Sequence, residues 1–314
     1  MALPTINDVQ VVEPVLTNMM TAFRQNAERF IASRVFPVVP VNTDSGTFFK
    51  FTKKYWYHDT LQPRAPGDPF ARLDFGVETD TYKTLQWAGD YAIPDEVRAN
   101  ATAPLDLEAA GIDYLGQKSL LRKEVQFAAD FMKTGVWGTD NTSATDWDDF
   151  TNGDPISDLM TAAGVISAAT GYAPNTLVVG EIVHRALMSH PDVLDRLKYV
   201  MAGSQANIRQ SLMGILGIEN YLVAGSIYSN TNEAAAFSAT PVIDDDALLL
   251  YVSPNAGTMG LSAGKTFVWG PGGGEGSVYR YRDASRHADI IQHKEQWDQK
   301  VIAPELGYFF SDIV

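Results

Sequence analysis

Four groups of residues in this 314-residue sequence have types and spacings that could do chemistry. The first is Gly260-Leu261-Ser262-Ala263-Gly264-Lys265-Thr266, which ends like a phosphate-cradling loop. That motif needs a glycine five residues before Gly264, and the position holds Met259. Without it the backbone amides do not converge on a phosphate. The second, Gly270-Pro271-Gly272-Gly273-Gly274-Glu275-Gly276, is followed by a strand pattern rather than a helix, so it reads as a turn between strands. The third is acidic. Placing Gly153 as the turn glycine of a calcium loop puts Phe150 and Leu159 where oxygen ligands belong. Asp244-Asp245-Asp246 reads as a solvated turn, because neighbouring residues of a strand point to opposite faces. The fourth is the set of histidines, His58, His184, His190, His287 and His293, whose close pairs are six residues apart and fit neither a helical zinc pair nor a zinc finger. No Gly-x-Ser-x-Gly elbow accompanies them. No catalytic, cofactor-binding or metal-binding residue is assigned, and no cofactor is expected.

Stepping from those residues to the chain that carries them, composition removes further classes. There are no cysteines, so disulfides, thiolate metal sites and cysteine nucleophiles are excluded. The 24 basic residues are outnumbered by 38 acidic ones, for a net charge of −14. Tight nucleic-acid binding relies on a basic face that neutralises phosphates, and this balance opposes it. Enclosing nucleic acid without gripping it stays compatible. The longest apolar run, Ala247 to Val252, is far short of the ~20 residues that span a bilayer, and Met1-Ala2-Leu3-Pro4 does not begin a secretory signal. A soluble protein without a membrane partner is expected.

The elements read as follows. Thr17 is placed as an N-cap, Met20, Phe23, Ala27 and Phe30 recur at helical spacing, and the prolines of Phe36-Pro37-Val38-Val39-Pro40-Val41 then force an extended path. Residues 44–92 read as one long β-hairpin. Its outgoing arm, Thr47 to Tyr57, is aromatic; its return arm places Leu73, Phe75, Val77, Leu85 and Trp87 on one parity. The tip carries Pro63, Pro66, Gly67 and Pro69. A hairpin with this many aromatics cannot bury both faces by itself and wants a partner surface. The clearest helix spans 105–133, roughly 40 Å at 1.5 Å per residue, with Leu107, Tyr114, Leu121 and Ala128 recurring every seven residues. A polar loop over 139–153 leads to a helix capped by Asp154, started by Pro155 and stopped by Gly171. Strands at 177–179, 221–223 and 247–252 alternate with helices near 181–189, 192–199 and 205–216. Long strands at 277–282 and 289–302 precede Tyr308-Phe309-Phe310. The class is α+β.

The order of these elements resembles that of the tailed-bacteriophage major capsid protein family, whose fold is shared with encapsulins and the floor of herpesvirus capsids. The resemblance is carried by Phe30 to Val41 followed by Ser45 to Phe51, similar to the junction from N-terminal arm to extended loop. It is carried also by Asn100-Ala101, Pro104 to Leu107 and Lys123-Glu124, similar to the start and middle of a spine helix. Pro174 to Gly180, Ala186-Leu187 and His190-Pro191 look like the start of an axial domain. It spans nearly the whole chain, and its specificity lies in order and spacing.

The resemblance implies an N-terminal arm (1–43), an extended loop (44–92), a peripheral domain with its spine helix (93–171), an axial domain (172–270) and C-terminal strands returning to the peripheral domain (271–314). It implies a non-enzymatic shell protein of the virion, assembled in a host cytoplasm as hexamers and pentamers of itself around double-stranded DNA. A portal protein and a separate scaffolding protein are implied as partners, since no long scaffolding segment precedes the arm. No lysine–asparagine–glutamate set for a covalent cross-link can be placed. An encapsulin-like cellular container and, more distantly, a small-molecule enzyme are the alternatives. The expected subunit-contact residues are Phe49, Phe51, Lys53, Lys54, Trp56, Arg64, Arg72 and Phe75. From Phe48 to Arg72 five basic residues face two acidic ones, a local +3 in a chain of −14. Such a reversal suits a loop that meets acidic surface on the next subunit.

Overall fold

The computed structural model describes residues 25–51, 53–61, 63–70, 72–100, 107–141, 145–197, 205–231, 236–254, 257, 260–270 and 276–314. Its first half runs α1 (Ala32–Val35), β1 (Val38–Val41), β2 (Ser45–Phe51), α2 (Lys53–Trp56), β3 (Val77–Lys83), β4 (Leu85–Pro94), α3 (Asp95–Asn100), α4 (Leu107–Phe131), β5 (Thr139–Asn141) and α5 (Pro155–Thr170). There follow β6 (Thr176–Gly180), α6 (Glu181–Ser189), α7 (Pro191–Leu197), α8 (Gln205–Leu216), β7 (Asn220–Ala224), β8 (Ile227–Tyr228), β9 (Thr240–Pro241) and β10 (Ala247–Leu250). The chain closes with β11 (Gly264–Trp269), β12 (Ser277–Asp283), β13 (Ala288–Val301) and β14 (Gly307–Phe310).

One sheet has the order β5-β14-β10-β6-β7, with parallel pairs at both edges and antiparallel pairs between. Both of its faces are covered. Leu177, Val179, Tyr221, Leu249 and Phe310 pack under α5 to α8, while Val178, Leu222, Leu248 and Phe309 pack on α1 and the end of α4. Double burial explains why these strands are continuous apolar runs instead of alternating ones. The helix α5 follows local rules: the Asp154 carboxylate accepts from Ser157 N–H at 3.0 Å, and Gly171 takes φ +75° at the stop.

The second sheet has the order β1-β11-β13-β12, with β4 along the other side of β13 through a ten-residue antiparallel register, Ala288↔Pro94 to Trp297↔Leu85. The helix α4 lies across β4 and β13. A stack fixes that crossing: the Arg122 guanidinium sits 4.2 Å from the Trp87 ring, Trp87 stacks on Trp297 at 5.9 Å, and Lys123 lies 5.4 Å from Trp297 on the other side. Each cation–π contact contributes about 0.5–2 kcal/mol.

Several expectations need correction. Residues 17–24 of the expected first helix lie outside the described residues; its remainder is a single 3₁₀ turn, Ala27–Arg29, with Phe30 extended. The outgoing arm stops at Phe51, and Lys53–Trp56 is a helical turn. The return arm divides at Thr84, whose N–H and hydroxyl both donate to the Asp44 carbonyl at 2.8 Å. Beyond it the chain leaves β2 and joins β13. Alternation continued through the break because both sheets demand it, so it identified a strand but not its partner. The heptad stripe on α4 also differs. Tyr114 and Ile112 are exposed, while Gly111, Leu115, Lys123, Glu124, Phe127 and Phe131 are buried. At Gly111 a Cβ would lie 2.5 Å from the Tyr91 ring, so the glycine lets helix and sheet approach closely there. Thr139–Asn141, expected in a loop, adds an edge strand to the first sheet.

Candidate assembly interface

The hairpin β2–β3 is fixed at its base and open along its length. At the base, Tyr82 is buried and stacks on Phe267 at 4.7 Å, Phe48 tilts against the same ring at 5.3 Å, and Val39 completes the cluster. Gly46 makes room: a Cβ there would lie 2.7 Å from the Tyr82 hydroxyl. Further out, Lys50 pairs with Asp80 across the strands at 2.6 Å, and its hydrogen bond holds the Asp80 carboxyl below the usual range despite partial burial.

Beyond the strands the loop is rooted on its own subunit at the end of α5. Lys53 Nζ donates to the Ala169 carbonyl at 3.2 Å and pairs with Glu305 at 3.1 Å, and the Tyr57 hydroxyl donates to the Thr170 carbonyl. Both carbonyls belong to the last turn of α5, where unpaired C=O groups favour donors and cations. This root sets the direction in which the loop leaves the subunit.

Outside the root the apolar residues are bare. Phe70 is 82% exposed, Trp56 64% and Phe49 63%, and Leu61, Leu73, Phe75 and Val77 are exposed with them. Trp56 and Phe75 lean together, ring centres 6.2 Å apart, and Arg64 covers Phe70 at 4.3 Å. The apolar parity of the return arm is thus largely exposed in the single subunit (Leu73, Phe75, Val77 and Leu85, with Trp87 half-buried), while Tyr82 on the opposite parity is buried. Large apolar side chains left exposed together on one loop are a mark of an interaction site.

Of the expected contact residues, Phe49, Trp56, Arg64, Arg72 and Phe75 are exposed on this loop. Lys53 is engaged within its own subunit. The side chains of Phe51 and Lys54 lie outside the described residues. Sequence reasoning missed Tyr57 as the root, although its aromatic side chain next to a proline-rich tip was a signal. It also missed the ion-pair network in which Arg98, Arg280 and Arg282 meet Asp95, Glu108 and Asp289, tying β12 to α3 and the start of α4. Those arginines are 170 or more residues from some of their partners, beyond any local pattern.

Among the described residues, the groups that suggested chemistry have other surroundings. Gly264–Trp269 is a strand, paired with β1 and β13, so no helix N-terminus faces the Gly-Lys-Thr sequence. His184 Nδ1 bonds the Tyr221 hydroxyl at 2.9 Å, and burial holds the imidazole below its ordinary value. Asp245 and Asp246 meet Asp312, with carboxylate oxygens within 4.8 Å of one another. Burial first, then the neighbouring carboxylates, pushes Asp246 up to about 6, and Asp245 also rises. The long-range contact with Asp312 is what the local reading of a solvated turn did not contain.

Comparison with known proteins completes the description. The sequence model of the family described as "Phage major capsid protein E" matches residues 116–262. The major capsid protein of Burkholderia phage BcepMu is 26% identical over 236 residues, 73% of this chain and 73% of that protein. A phage-related protein from Bordetella bronchiseptica superposes with a TM-score of 0.71 at 24% identity, covering 96% of each chain. The capsid structure of cyanophage P-SCSP1u gives a TM-score of 0.63 at 11% identity, covering 92% of this chain and 89% of that one. The α+β architecture is therefore a phage-capsid fold.

Proposed function

We propose that this chain is a major capsid protein of the tailed-phage family, a structural virion protein that self-assembles in the host cytoplasm into the icosahedral head shell, and that its parts divide the work as follows. The 44–92 loop is the contact arm, lying over a neighbouring subunit and burying Phe49, Phe51, Trp56 and Phe75 there. Lys54, Arg64 and Arg72 meet acidic surface on that neighbour, while Lys53 and the Tyr57 root aim the arm. The spine helix α4 (Leu107–Phe131) is a rigid lever between the arm (1–43), the peripheral domain (93–171) and the axial domain (172–270), with 271–314 closing the structure.

The observation that carries this reading is the run of exposed aromatics on one loop, Phe49, Trp56, Phe70 and Phe75, with Leu61, Leu73 and Val77 exposed beside them. Closed shells need head-to-tail contacts that close into rings, and a protruding arm with a separate receiving surface is such a contact. Rings of five and six follow, enclosing double-stranded DNA that the acidic chain does not grip. A portal protein and a separate scaffolding protein are the assembly partners. Electron microscopy of the purified protein tests the reading: closed shells of uniform size are expected, whereas isolated two-fold dimers with the loop folded back would overturn it. Replacing residues 62–70 by a short glycine–serine linker should leave a folded subunit that forms no shells. A cellular container of the same fold would instead copurify with a cargo enzyme and no packaged DNA.

A further inference from the structure

Glu124 is a carboxyl that neither the shell contacts nor the cores explain. It sits in the middle of α4, is wholly buried, and has no cationic partner among the described residues. One oxygen, Oε2, accepts two backbone amides, from Ile31 at 2.9 Å and Ala32 at 2.8 Å. These are orphan donors at the start of α1, which has no side-chain cap of its own. The other oxygen, Oε1, lies 3.4 Å from the Ser226 hydroxyl, which can donate to a carboxylate or turn to accept a carboxyl proton. Three segments about a hundred residues apart thus meet on one side chain.

The charged groups around it are occupied elsewhere. On α4 itself, Lys123 turns to Glu295 of β13 at 3.3 Å. From the segment before α1, Arg29 donates to the Gly225 carbonyl at 3.3 Å, and Glu181 of α6 reaches the same glycine. From β13, Gln299 donates to the Ala32 carbonyl at 3.2 Å. An isolated buried carboxylate is costly, whereas the neutral acid satisfies this geometry completely: a carbonyl oxygen for two amides and an O–H for Ser226.

We propose that Glu124 is a proton-holding brace that locks the junction between the N-terminal segment and the long helix, and that losing the proton loosens that junction. Burial pushes the carboxyl up from 4.5 to about 7, against the pull of the Ala32, Ile31 and Ser226 bonds. Because the folded-state value is raised, the brace is at full strength below the ordinary value. It weakens as pH rises through about 7. The proposal concerns the single subunit and stands or falls independently of the assembly reading.

Hydrogen exchange of the peptide covering residues 25–36 tests it, in the full chain held as dissociated subunits between pH 5 and 9 and corrected for intrinsic rates. The wild type should open progressively as pH rises from 5 to about 7 and level off above that, by roughly 100-fold in all, tenfold per pH unit between the open-state and closed-state values. Glu124→Gln copies the neutral acid, so its peptide should stay closed and pH-independent. Glu124→Ala should be open at every pH. A Glu124→Gln profile that follows the wild type, or one as open as Glu124→Ala throughout, would overturn the proposal.

Discussion

Trp56→Ala separates assembly from folding. A tryptophan side chain has about 250 Å² to bury. With Trp56 64% exposed in the subunit, complete coverage by a neighbour removes about 160 Å², worth about 4 kcal/mol at about 25 cal/mol per Å². Half coverage is worth about 2 kcal/mol. At about 1.4 kcal/mol per tenfold, each arm contact should weaken by roughly 30-fold to roughly 800-fold. Within the subunit the residue leans on Phe75, at 6.2 Å between rings, and most of its surface faces solvent, so the cost to folding should stay near the ~0.5 kcal/mol typical of surface changes. Light scattering across a concentration series reads the critical concentration for shell formation, and thermal unfolding of dissociated subunits reads stability. The expected result is an unchanged melting temperature with a critical concentration raised at least tenfold. Unchanged assembly, or a loss of assembly matched by a loss of subunit stability, would refute the reasoning that these aromatics are bare because a neighbour covers them.

Other outcomes follow from the same structure. Arg64→Glu with Arg72→Glu should slow assembly most at low ionic strength and little at high salt, since long-range charge acts on encounter and is screened; stopped-flow scattering at several salt concentrations checks this. Tyr57→Phe removes the hydroxyl that donates to the Thr170 carbonyl, a loss of about 1 kcal/mol, and should raise protease cutting within 58–76 before assembly. Phe36→Ala empties a site where the ring meets Phe127 at 5.6 Å and Phe131 at 5.1 Å; denaturant unfolding should show a loss of about 3–5 kcal/mol. Asp246, raised by burial to about 6, costs the fold stability as pH climbs from 3.8 through that value. Asp246→Asn should flatten that part of the stability–pH curve, measured by unfolding at pH 4 and 7.5.

Elements governed by neighbouring residues were legible in the sequence. Asp154, Pro155 and Gly171 bound a helix because capping and φ preferences act within a few residues, and the helices at 181–189 and 205–216 appeared where their patterns placed them. The unbroken apolar runs marked strands of a doubly covered sheet. The absence of cysteine and the acid excess are composition alone. Partners across the chain were not legible. Alternation through residues 73–87 could not say that the chain changes sheets at Thr84, because both sheets impose the same period of two. The buried stripe of α4 runs through Gly111, Lys123 and Glu124, residues that apolar periodicity discounts, since what makes them interior is a tyrosine ring, a glutamate and two amides supplied from elsewhere. The aromatic surplus of the loop was visible in the residues, but that Tyr82 faces inward while Phe49, Trp56 and Phe70 stay bare depends on where β11 and α5 come to lie. A side chain is buried by its neighbours in space, and only the tertiary structure chooses them.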